Sequence, residues 1–188
     1  MVSSNTELES LIKGCINDTM QDKEALYKAF YGYIKGVILR YVRDQHRAEE
    51  LVNDSFIKIF THIGSFKGTE NTIDLQLSFK SWVAKIASRT AIDFLRRKNV
   101  NFQMDEINEY NSPKALQSNP EDQSSSKEIL DLLDQLPQTQ KTIFNLYEIE
   151  GFSHEEIAGL LAIPVNVCRV YLSRAKAKLK SLYIKHFN

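Results

Sequence analysis

The sequence predicts an all-α protein of two small helical domains joined by a flexible acidic and polar linker, the second domain carrying a helix-turn-helix. Three observations carry this. Leu, Ile, Val and Phe recur at helical spacing in both halves of the 188-residue chain. Glycine and proline are scarce, at 7 and 4 residues, which favours helices over sheet-and-turn folds. Residues 99–126 keep no apolar stripe and are rich in Asn, Gln, Ser, Asp and Glu, with Pro113 and Pro120 among them. The domains are therefore expected at 1–98 and 127–188, with 99–126 as the linker.

The first domain reads as four helices. Leu8, Leu11, Ile12, Cys15 and Ile16 form one stripe, entered through the capping-box pattern Ser4-x-x-Glu7. Leu26, Phe30, Ile34, Val37, Ile38 and Tyr41 form a second, from near Asp22. Leu51, Val52, Ser55, Phe56, Ile59 and Ile63 form a third, from about His46. Phe79, Val83, Ile86, Ala87, Thr90 and Phe94 form a fourth, from Ser78 to Lys98, after a polar loop from Gly64 to Leu77. The second domain reads as helices near 127–136, 138–150, 154–161 and 164–184.

Charge is distributed unevenly in a chain whose net charge is zero. Residues 1–98 hold 15 Lys/Arg against 12 Asp/Glu, the linker 1 against 5, and residues 127–188 hold 8 against 7. Six basic side chains and no acidic ones lie in the last twenty residues. Two weakly basic blocks thus flank an acidic connector. No run of ~18 apolar residues is present, and the acidic start of the chain is unlike a signal peptide. Cys15 and Cys168 each sit in an apolar helical pattern, as reduced core residues of a cytoplasmic protein would. The four histidines are scattered, and no metal-ligand spacing, phosphate loop, dinucleotide motif or CxxC pair occurs. The chain is accordingly read as no enzyme, with no cofactor and no metal.

Ser153-x-x-Glu156 is a capping box in front of Ile157, Ala158, Leu160 and Leu161. Ala162 takes the turn, Pro164 opens the next helix, and a long helix follows. Cys168, Leu172, Ala175, Leu179 and Leu182 fall on its core side. Asn166, Val170, Ser173 and Ala177, all short, fall opposite. Arg169, Lys176 and Lys180 line one edge; Arg174, Lys178 and Lys185 line the other. A helix in the major groove has base edges ahead and phosphates on both sides, so short residues flanked by long basic ones suit duplex DNA. The plainer reading is a solvated amphipathic helix. Arg169 and Arg174 reach either guanine edges or phosphates.

Two further faces stand out in the first domain. On the fourth helix Trp82, Lys85, Arg89 and Arg96 share a side, and Arg97 and Lys98 extend the charge. An aromatic beside basic residues suits unstacked single-stranded bases; the alternative is that Trp82 is half-buried core. Asp93 is spaced to pair with Arg89, Arg96 or Arg97. On the third helix Glu50, Asn53, Asp54 and Ile57 face away from the core stripe. That mixture suits protein docking, or a plain solvated helix.

Three runs taken together, AEELVNDSF from Ala48, FKSWVAKIASRTAIDFLRR from Phe79, and LPQTQKTIFNLYEIEGFSHEEIAGLLAIPVNVCRVYLSRAKAKL from Leu136, resemble the extracytoplasmic-function sigma factors. The resemblance covers roughly 24–98 and 127–183. It implies an alternative specificity subunit of bacterial RNA polymerase. By it, Glu50, Asn53, Asp54 and Ile57 would bind core polymerase. Trp82, Lys85, Arg89, Arg96 and Arg97, with the preceding loop, would hold the melted −10 element. Asn166, Arg169, Ser173, Arg174, Lys176 and Lys178 would meet the −35 element. An anti-sigma protein is a further expected partner. The sequence departs from the family pattern at Arg89, where Asn is usual, at Ala162, where the turn has Gly, and at Asn166-Val167 in place of Gly-Thr. A helix-turn-helix regulator acting without polymerase is the other reading left open.

Overall fold

A computed structural model describes residues 4–68, 74–98, 102 and 132–187. The expected linker, Phe102 apart, and the first half of the expected 127–136 helix lie outside the described residues. Phe102, within the expected linker, is buried. The chain divides into two compact units, residues 1–98 and 99–188, and among the described residues all regular structure is helical.

The first unit is a bundle of four helices: α1 (Asn5–Ile16), α2 (Met20–Leu39), α3 (Gln45–His62) and α4 (Leu75–Arg97). The Ser4 hydroxyl caps α1 by accepting from the Glu7 N–H. The turn into α2 places Asp18 in the left-handed region, at φ 63. A Cβ at Gly14 would run into the Asp22 carboxylate, so that close approach requires glycine. Asp44 caps α3 by accepting from the Arg47 N–H at 3.1 Å. α2 packs against the other three helices and α3 against α4. Leu8, Leu26, Ile34, Ile38, Val52, Ile59, Phe79, Ala87, Ala91 and Ile92 are wholly or almost wholly buried, each large one worth ~1.5–3 kcal/mol. Ser55 lies among them because its hydroxyl donates back to the Leu51 carbonyl at 2.7 Å.

Two expectations need correction here. α4 begins at Leu75, not Ser78, because Asp74 accepts from the N–H groups of Gln76 and Leu77 at 2.9 and 3.3 Å. The polar loop is shorter accordingly, opens with a 3₁₀ turn at Ile63–Ser65, and keeps residues 69–73 outside the described part. Ile16, counted in the α1 stripe, is half exposed at the helix end.

The second unit holds α5 (Gln138–Phe144), a π turn (Asn145–Ile149), α6 (His154–Leu161) and α7 (Val165–Phe187). The sequence predicts one regular helix over 138–150; the structure widens its second half into the π turn. Asn145 sits there fully buried, and neither of its amide atoms has a hydrogen-bond partner among the described residues. Leu133, Leu136 and Ala175 form a core with Phe144 and Leu179 against it. Both cysteines are free and buried, as expected. Burial pushes the Cys15 and Cys168 thiols up to about 11, so both are neutral and poor nucleophiles.

Ala162 ends α6 in the left-handed region, at φ 55 and ψ 44. A residue with a Cβ is strained there by ~1–2 kcal/mol, and glycine returns part of that relief as unfolded-state entropy. Ala162→Gly is therefore expected to stabilise the second unit by about 0.5–1 kcal/mol in denaturant titration. A loss of stability would show that the Ala162 methyl makes contacts worth more than the strain.

Candidate nucleic-acid interface

α6 and α7 meet at 104°, within the ~90–120° of a helix-turn-helix. The capping box at the entry to α6 is complete: the Glu156 N–H donates to Ser153 Oγ at 3.1 Å and the Ser153 N–H donates to Glu156 Oε2 at 2.8 Å. Ile157, Ala158 and Leu161 of α6 are buried, as are Ile163 of the turn and Cys168, Tyr171, Leu172 and Ala175 of α7. This packing fixes which side of α7 is left outward. Asn166, Arg169, Val170, Ser173, Arg174, Lys176, Ala177, Lys178 and Lys180 are all exposed there. Every residue read from the sequence as meeting duplex DNA is thus on one outward surface, with short side chains central and basic ones lateral.

Some of the basic groups have protein partners. Arg169 Nη2 lies 3.3 Å from a Glu155 carboxylate oxygen, and Lys176 Nζ lies 2.6 Å from one of Glu148. Lys176 also stands 5.8 Å from the centre of the Tyr147 ring, which stacks on His154 at 4.5 Å. His154 Nδ1 is 3.5 Å from Cys168 Sγ. Glu155 is held below the usual carboxylate range, first by a hydrogen bond from its own backbone N–H, with Ser153 and Arg169 adding to it. Neither Glu148, Glu155 nor Tyr147 was marked by sequence reasoning, because their partners are distant in the chain.

In the first unit, Glu50, Asn53, Asp54 and Ile57 are all exposed on one side of α3, opposite buried Leu51, Val52, Ser55 and Phe56. Ile57 is 65% exposed, an unusual position for so apolar a side chain. Arg47 donates to Glu50 at 2.6 Å, and the Tyr27 hydroxyl donates to Asn53 Oδ1 at 3.0 Å. Tyr27 was missed by sequence reasoning; its ring rests on Phe56, 4.4 Å between centres.

On α4, Arg89, Arg96 and Arg97 are exposed, while Trp82 and Lys85 are half-buried. The Trp82 ring lies 5.4 Å from Phe66 and 5.7 Å from Phe79, so it borders the aromatic core and still offers an outer side. Trp82 is thus half-buried, as the alternative reading has it. Asp93 lies 3.7 Å from Lys58 of α3, a cross-helix contact that helical spacing gave no sign of. Leu77, 66% exposed at the start of α4, was likewise hidden by its assignment to the loop.

The family profile described as "Sigma-70 region 2" matches residues 26–100, and that described as "Sigma-70, region 4" matches residues 126–179. RNA polymerase sigma factor SigV of Bacillus subtilis is 31% identical over 168 residues, covering 89% of this chain and 87% of SigV. The chain belongs to the extracytoplasmic-function sigma factors.

A second relative, the ECF RNA polymerase sigma-E factor of Haemophilus influenzae, is 29% identical over 174 residues, covering 85% of this sigma factor and 88% of its relative. Among solved structures, the sigma factor RpoE of Bartonella quintana, in complex with the anti-sigma factor NepR, aligns with TM-score 0.51 at 18% identity. That alignment covers 87% of this chain and 98% of RpoE, and at such identity it speaks for the fold. The region 2 match takes in most of α2 and the whole of α3 and α4 of the helical bundle, and the region 4 match takes in the helix-turn-helix, so the bundle carries region 2 and the second unit carries region 4. Among the described residues, no single helix is long and apolar enough to cross a membrane.

Proposed function

We propose that this sigma factor binds core RNA polymerase through Glu50, Asn53, Asp54 and Ile57, and directs initiation by reading two promoter elements. In this reading residues 1–98 act on the −10 element, with Trp82, Lys85, Arg89, Arg96 and Arg97 holding the separated strand. Residues 127–188 act on the −35 duplex through Asn166, Arg169, Ser173, Arg174, Lys176 and Lys178. Residues 99–126 connect the two. The protein performs no chemistry of its own; the polymerase carries out phosphoryl transfer, and both meet the chromosome in the cytoplasm. An anti-sigma protein that covers the same surfaces is a further partner, on the likeness to RpoE held by NepR.

The observation that carries this is the exposed α3 face, acidic and yet bearing an exposed isoleucine, in the same chain as two basic faces on α4 and α7. A helix-turn-helix regulator working without polymerase has no use for it. Run-off transcription with purified core polymerase tests the proposal. The expected result is transcription that depends on added chain, together with a stable complex between chain and core polymerase in the absence of DNA. Duplex binding without polymerase association would return the reading to a stand-alone regulator.

A further inference from the structure

Arg169 and Lys176 lie two turns apart on the same edge of α7, where the −35 reading places DNA phosphates. Each is already engaged. Glu155, from the first turn of α6, meets Arg169 at 3.3 Å, and Glu148, from the π turn, meets Lys176 at 2.6 Å. The two carboxylates come from different elements and are presented to the same edge. A carboxylate and a phosphate offer a guanidinium or ammonium the same thing, a pair of anionic oxygens at hydrogen-bond distance. Tyr147 adds to the Lys176 contact by placing its ring 5.8 Å from the ammonium, and that ring is itself held by stacking on His154.

We infer that Glu148 and Glu155 are affinity-determining residues of the helix-turn-helix: they hold the cations of one α7 edge in place of DNA phosphates and so withhold those cations from the DNA backbone. The proposal rests on the −35 reading above and adds to it. Its consequence is selective. Phosphate contacts are independent of sequence, so carboxylates that compete with phosphates weaken binding to any duplex. Contacts from Asn166 and Ser173 to base edges are untouched. The recognition helix is thereby biased against indiscriminate duplex binding.

The test uses the full-length chain and a labelled mixed-sequence DNA duplex, followed by fluorescence anisotropy over a range of salt concentrations. Glu148→Gln with Glu155→Gln keeps side-chain size and removes both negative charges. Exposed ion pairs of this kind change equilibria by up to about fivefold each, so the double variant is expected to bind about three- to tenfold more tightly. Each released cation adds a phosphate contact, so the plot of log affinity against log salt should steepen by about one unit per cation. Adding Lys176→Ala to Glu148→Gln should cancel the gain from that position. A thermal melt checks folding, and Glu148→Gln alone, away from any helix cap, supplies a second variant should Glu155→Gln loosen α6. Unchanged affinity and slope would overturn the inference. Weaker binding would overturn it too and assign the carboxylates to positioning the cations instead. Arg174→Ala with Lys178→Ala separates the two levels: if it weakens duplex binding while the glutamine variants change nothing, the inference fails and the −35 reading stands. If it also changes nothing, both fail.

Discussion

Glu50→Lys combined with Asp54→Lys is expected to abolish association with core RNA polymerase and to leave the bundle folded. Both residues are exposed on the side of α3 that faces away from its core. Glu50 has Arg47 as a partner at 2.6 Å on the same helix, and losing an exposed pair of that kind costs only about 0–1 kcal/mol. The thermal midpoint of the first unit should therefore move little. The effect on docking is much larger. Each substitution turns a charge that suits a basic partner surface into one that repels it, and like charges at an interface cost several kcal/mol. Two such reversals around Ile57 amount to a loss of at least about a hundredfold in affinity. Co-elution with core polymerase measures the complex and circular dichroism measures the fold. Unaltered co-elution, or unaltered run-off transcription, would remove α3 from the docking role.

That α3 face was legible before the structure because helical periodicity sorts residues by side without any tertiary information. The same holds for the outward row of α7 and for nearly all core positions, including Ser55, whose small hydroxyl bonds within its own helix. What escaped has a common cause. The α4 start was hidden because Asp74 caps with its side chain alone and Leu77, at the position where a capping box has Glu or Gln, offers no return bond. The π turn left no periodic signature beyond Asn145 standing in an otherwise apolar stripe. Tyr27 to Asn53, Glu155 to Arg169 and Glu148 to Lys176 join residues far apart in the chain, and no spacing rule reports such pairs. Local order is written in the sequence as a period. The partners of charged side chains depend on how helices cross.

The departures from the family pattern acquire physical content in the same way. Ala162 does take the left-handed conformation that a turn glycine would take, so the turn is kept at the cost of backbone strain. Arg89 is exposed on the same helix as Arg96 and Arg97, so the substitution for Asn adds positive charge to the side of α4 assigned to the melted strand.

The first unit stands or falls on one aromatic ring, which separates its folding from its DNA chemistry. Phe79 is fully buried, with Phe30 and Phe66 each edge-on to it at 5.1 Å and Trp82 at 5.7 Å. It therefore joins α2, α4 and the segment before α4 in a single contact set. Phe79→Ala removes that ring and leaves a cavity the neighbouring helices cannot fully close, at an expected cost of about 3–5 kcal/mol. For a unit of this size the midpoint should fall by about 12 °C or more. The loss is confined to the first unit, because the second has its own core around Leu133, Leu136 and Ala175. A two-step melt, with only one step displaced, is the expected trace in calorimetry. Polymerase association and promoter opening should both be lost, since α3 and α4 take their mutual orientation from this core. Arg96→Ala with Arg97→Ala supplies the contrast: both are exposed at the end of α4, so the melt should be preserved while opening is impaired. Should Phe79→Ala leave the midpoint unmoved, the aromatic cluster does not anchor the bundle. Should the arginine pair lower the midpoint as much as Phe79→Ala does, those residues hold the fold and not the strand.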